Sequence, residues 1–110
     1  MRHISYAETR FSTDDRVAAL LLDYAALLAR AGSADTVTVP GRVSTGNVEP
    51  VSVLIGPASQ ITAWGDDEPF GEEVSGVIAD LEQRIRAVTS SIASSDGPDG
   101  PGFDDFDDLA

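Results

Sequence analysis

His3 is the only histidine in the chain, and there is no cysteine. A histidine that acts as base or ligand ordinarily works beside a partner, and no second imidazole or thiolate is present to share a metal. His3 therefore reads as a strand or terminal residue with no catalytic role. Asp66-Asp67-Glu68 offers oxygens to a hard cation but lacks the alternating ligand spacing and closing glutamate of a calcium loop, so a solvated turn is the expectation. Gly41, Gly46 and Gly56 form no phosphate-binding signature, since none opens a helix after a strand with a following lysine or a G-x-G-x-x-G pattern. Serines are many, but none stands in a nucleophile elbow. On this reading there is no catalytic residue, no metal ligand and no cofactor. Trp64, next to the acidic loop, is expected to be a partly buried packing residue rather than a ligand platform.

One segment has a functional flavour. In Gly102-Phe103-Asp104-Asp105-Phe106-Asp107-Asp108-Leu109-Ala110 the apolar residues recur every three positions. Coiled into a helix, Phe103, Phe106 and Leu109 would stay roughly on one side while the aspartates keep the free segment soluble. That pattern suits a short acidic-aromatic motif that folds into the groove of a protein partner. The alternatives are a solubilising tail and a tail that folds back on its own domain.

Charge narrows the partners. Seven arginines stand against nineteen acids, a net charge of −12, and lysine is absent. Residues 1–92 hold all seven arginines and thirteen acids, for −6, and residues 93–110 hold six aspartates, for another −6. Nucleic-acid affinity comes mostly from cations on phosphates, and dispersed arginines on an acidic chain supply no such stripe. An anionic membrane surface is disfavoured in the same way. No apolar run approaches the roughly 18 residues of a membrane span, and the N-terminus has no apolar signal region, so a soluble cytoplasmic protein is expected.

At 110 residues the chain is expected to form one domain, residues 1–92, followed by a disordered acidic tail over 93–110. Residues 2–10 show weak alternation, a strand signal. Ser12-Thr13-Asp14-Asp15 supplies an N-cap and first-turn acids for a helix from about 13 to 31 that stops at Gly32. Val17, Leu20, Tyr24, Leu27 and Ala31 form one stripe on it, and Ala18, Leu21, Ala25 and Leu28 lie beside them. So wide an apolar arc packs on two sides within the domain or presents Leu21 and Leu28 at a homodimer surface. Val37 and Val39, then Val51, Val53 and Ile55, alternate with polar neighbours, and Gln60–Trp64 is a shorter run. Turn signals at Gly46-Asn47 and Gly56-Pro57 imply an antiparallel meander of these three runs, with Pro40-Gly41 interrupting the first. Val74, Val77, Ile78, Leu81, Ile85, Val88 and Ile92 mark a second helix, with Asp80–Arg84 and Glu82–Arg86 at i, i+4. Gly76 within it suggests close packing at that point.

The resulting order is β-α-β-β-β-α. It predicts an α+β fold, a four-stranded mainly antiparallel sheet with both helices on one face. This topology is similar to that of ribosome-hibernation factors, and its last five elements resemble double-stranded RNA-binding domains, although the basic surfaces of those families are missing. Met1-Arg2-His3-Ile4 with Tyr6-Ala7-Glu8 and Phe11, followed by Ala34-Asp35-Thr36-Val37-Thr38-Val39, resembles a group of small uncharacterised actinobacterial proteins over roughly the first forty residues. That group implies no activity. The functional expectation is a non-catalytic protein-binding or regulatory module, with a small-molecule binder or enzyme on the open face of the sheet as the alternative.

Overall fold

The structure, a computed structural model, describes residues 1–6, 9–57 and 60–95, with side chains as far as 92. Strands β1 (Arg2–Tyr6) and β2 (Thr9–Thr13) precede helix α1 (Asp15–Ala31). Strands β3 (Asp35–Arg42), β4 (Val48–Ile55) and β5 (Ile61–Gly65) follow, and helix α2 (Ser75–Ser95) closes the described chain. The fold is α+β, with one five-stranded sheet in the order β4-β3-β2-β1-β5 and every neighbouring pair antiparallel.

Three expectations about the sheet are corrected. The single strand expected over 2–10 is a hairpin, in which Ile4 pairs with Phe11 and Tyr6 with Thr9, so there are five strands rather than four. The three later runs do not form a meander: β3 and β4 pair along their whole length, but β5 lies at the opposite edge, beside β1. Pro40-Gly41 does not interrupt β3 either, because Pro40 stands directly opposite Pro50 in an unbroken register. The bond from Val43 N–H to the Asn47 carbonyl fixes which pairs exchange hydrogen bonds, and Pro40–Pro50 falls at a non-bonded position. Neither missing donor is therefore taken from the β3–β4 ladder. The cost appears on the other side, where β2 meets β3 at the single register pair Ser12–Arg42 and the Thr13 hydroxyl donates to the Pro40 carbonyl at 2.8 Å.

Alternation sorts the sheet into two faces. Ile4, Phe11, Val37, Val39, Val53 and Ile55 are buried on the face that carries both helices. Helix α1 begins at Asp15 rather than at about 13, because Thr13 completes β2; the Asp14 carboxylate accepts from the Arg16 and Val17 N–H groups, and the helix ends at Gly32 in the left-handed region, φ 67°. Leu21 and Leu28 are 1% and 2% exposed, so both belong to the core of the chain. In α2 only one of the two expected i, i+4 pairs forms: Arg84 Nε lies 2.8 Å from Asp80, whereas Glu82 turns to Arg16 of α1 at 3.0 Å. Gly76 is exposed, and a methyl group there would meet no atom within 4 Å, which removes close packing as its reason.

Candidate functional site

The outer face of the sheet carries His3, Ser5, Arg10, Ser12, Thr38, Ser52, Leu54, Thr62 and Trp64, the register partners or alternates of the buried set. Among the described residues, Leu54 and Trp64 are the large apolar side chains that stand exposed, at 57% and 42%. Trp64 is thus more open than the packing residue expected from sequence. The His3 ring stacks on it with centroids 5.5 Å apart, and the Arg10 guanidinium lies 5.9 Å from the indole centroid.

His3 has two polar partners, neither of them the second imidazole or thiolate that the chain lacks. Its Nε2 lies 2.6 Å from Asp66 Oδ2 and its Nδ1 2.7 Å from the Ser12 hydroxyl. A carboxylate only accepts, so Nε2 carries a proton toward Asp66, and Nδ1 and the Ser12 hydroxyl share the second hydrogen bond. The His3 bond holds the Asp66 carboxyl below the usual carboxylate range, aided by the Glu68 N–H, which donates to its other oxygen at 3.0 Å. Asp66 also sends its N–H to the Met1 carbonyl at 3.1 Å. No local signal announces this chain of contacts, since His3 and Asp66 are 63 positions apart and meet only because β5 lies beside β1.

A serine, an imidazole and a carboxylate in one chain of hydrogen bonds invite comparison with acyl-transfer sites. Such sites also need N–H donors aimed at the developing oxyanion, often from the residue after the nucleophile. Here that residue is Thr13, whose N–H faces β1 opposite Arg2 in the ladder. Asp66 spends both oxygens and its N–H on closing the turn after β5. The contacts form a latch that pins β2 and the 66–68 turn to the first residues of the chain. Met1 extends it: its ammonium donates to the Glu68 carbonyl and lies 3.2 Å from Asp15. No cluster of three or more metal-ligating side chains occurs among the described residues.

A second polar cluster ties the helices to the sheet. Asp35 Oδ2 accepts from the Tyr24 phenol of α1 and from Arg84 Nη1 of α2, each at 2.6 Å. Burial, and then the Asp35 carboxylate, push the Tyr24 phenol up to about 12. Bonding from Tyr24, then Arg84, holds Asp35 below its ordinary value.

The two edges of the sheet differ. At the β4 edge, Glu49 and Pro50 lie in the strand, and the Tyr6 phenol reaches the Leu54 carbonyl. Tyr6 belongs to β1, three strands away in the order, so the sheet curls strongly. The β5 edge, Ile61-Thr62-Ala63-Trp64-Gly65, has neither charge nor proline. The Asp66 N–H bond to Met1 fixes the parity of its ladder: Thr62 and Trp64 exchange bonds with β1, and the backbone groups of Ile61, Ala63 and Gly65 point outward. No described strand pairs with that side. Phe103, Phe106 and Leu109 lie outside the described residues.

Comparison with family models, with curated proteins and with solved structures returned no match to this chain.

Proposed function

We propose that the protein is a non-catalytic protein-binding or regulatory module whose folded part takes its partner along β5. The supporting observation is the β5 edge: three residues with outward backbone groups, no guarding charge or proline, and an exposed Trp64 on the adjoining face. Strand addition there would satisfy the outward N–H and C=O groups, while Trp64 and Thr62 read the partner's side chains. Phe103, Phe106 and Leu109 supply a second, independent docking element on the same chain. The partner is a protein in the cytoplasm, neither a nucleic acid nor a membrane, because the net charge of −12 repels polyanions.

Capture with the full chain tests this reading. Proteins held by the wild type, including a differently tagged copy of the chain itself, are compared with those held by Thr62→Asp and by the triple variant Phe103→Ser, Phe106→Ser, Leu109→Ser. Loss on Thr62→Asp supports the β5 edge, and loss on the triple variant supports the tail. Identical capture by all three overturns the proposal.

The alternative, a small-molecule binder or enzyme on the outer face, draws on the Ser12–His3–Asp66 chain beside Trp64. Ester hydrolysis by the wild type that is lost in Ser12→Ala would favour it.

A further inference from the structure

Resting on the reading of β5 as a docking edge, we propose that its partner is a second copy of this chain, joined through an antiparallel β5–β5 pair about a two-fold axis at Ala63. Parity limits the register. The outward groups belong to Ile61, Ala63 and Gly65, so odd residues must meet odd residues across the junction. Among such registers, the one centred on Ala63 engages all five residues of the strand. It sets Ile61 opposite Gly65 of the partner subunit and Ala63 opposite the partner's Ala63 on the helix side. On the outer side it sets Thr62 opposite the partner's Trp64, in the close non-bonded position.

The strand is self-complementary in that register. Its large helix-side residue, Ile61, meets a glycine, and its small one meets itself. The Arg2 side chain lies where a Gly65 side chain would begin, 3.3 Å from an added Cβ. Arg2 also lines a shallow recess of about 270 Å³ with Ala18, Ala19, Leu22 and Asp23 of α1. The partner's Ile61 would come to lie against the Arg2 stem at the edge of that recess, an apolar contact that a bulkier residue at 65 would block. Outside, a β-branched residue facing an aromatic one is a favourable cross-strand pair. The charges do not collide locally, because the acids begin at Asp66, which would stand opposite the uncharged Gln60 of the partner subunit. Two sheets of five strands would then run on as one of ten.

A single strand pair is small beside a standard interface of roughly 1,600 Å². Association is therefore expected at micromolar concentrations, and salt should tighten it, since each chain carries −12.

Sedimentation equilibrium of the full chain, at low and high salt, reads the mass. Mild oxidation of Ala63→Cys reads the register in the same protein, which has no other cysteine. The two Cα atoms of a bonded antiparallel pair lie about 5.5 Å apart, within disulfide reach. The expected results are a dimer that tightens several-fold with salt, efficient cross-linking of Ala63→Cys, none of Ser52→Cys, and a monomer for Thr62→Asp with unchanged circular dichroism. A wild type that stays monomeric at several hundred micromolar, or Ser52→Cys cross-linking as well as Ala63→Cys, overturns the dimer. If the chain is monomeric but still captures another protein that Thr62→Asp loses, the second copy is wrong and the docking edge stands. If it is monomeric and nothing depends on Thr62, both fall.

Discussion

The Tyr24 phenol on α1 donates to Oδ2 of Asp35, the first residue of β3, at 2.6 Å, and Arg84 of α2 donates to the same oxygen at the same distance. One carboxylate thereby ties both helices to the sheet. Tyr24→Phe removes one donor and leaves Arg84 in place. A hydrogen bond to a charged acceptor is worth about 1.5–3 kcal/mol, and the partial exposure of Asp35 puts this one at the low end. Urea unfolding should show a loss of about 1–2 kcal/mol with an unchanged slope.

Stability should fall at both ends of the pH scale. Asp35, Asp66 and Glu73 all have carboxyls held below their ordinary values, by Tyr24, by His3, and by the Ser75 hydroxyl followed by its N–H, respectively. Their contribution is present above the unfolded carboxylate range near 4 and is lost as pH falls through their lower folded values. Tyr24 acts in the opposite sense. Its folded value is raised to about 12, so its contribution is present below about pH 10 and is lost as pH rises through 12. Thermal melts from pH 2 to 12 should show a plateau with a fall on each side, and Tyr24→Phe should weaken the alkaline fall.

Two glycines should respond in opposite directions. A methyl group at Gly41 would sit 2.8 Å from both Phe11 Cδ2 and Val51 Cγ2, inside the core layer. Gly41→Ala should therefore cost about 1–3 kcal/mol as those side chains shift. At Gly76, in the first turn of α2, the space is open. Gly76→Ala should gain about 0.5–1 kcal/mol from helix propensity. Equal effects of the two changes in chemical denaturation would contradict the packing described for β3.

The helices were legible because their signals are local. Asp14 caps α1, Gly32 ends it, and the stripe from Val74 to Ile92 marks α2. The alternation of β3 and β4 around a Gly46-Asn47 turn was equally plain. The hairpin at the N-terminus was not, since Ala7-Glu8 contains none of the residues that ordinarily punctuate a turn. Nor was the place of β5 legible: Gly56-Pro57 signals a reversal but does not say which strand the next one will meet. The His3–Asp66 bond and the outward parity of β5 both follow from that one long-range pairing, so the candidate site was hidden with it.

Leu28 is 2% exposed within the single chain and packs with Leu21 and Tyr24 in the core. Leu28→Ala should cost about 2–5 kcal/mol, read by urea unfolding at a concentration low enough to exclude association. A much smaller loss would return this face of α1 to the surface.

Amide exchange along β5 tests the docking edge most directly. In dilute protein, the Thr62 and Trp64 amides, bonded to β1, should exchange slowly, and those of Ile61, Ala63 and Gly65 should exchange fast. As concentration rises into the range of self-association, or when a captured partner is added, the three fast amides should become protected together. Protection of all five amides in dilute protein would mean that the edge is already covered within the chain. Fast exchange of Ile61, Ala63 and Gly65 under every condition would mean that nothing docks there.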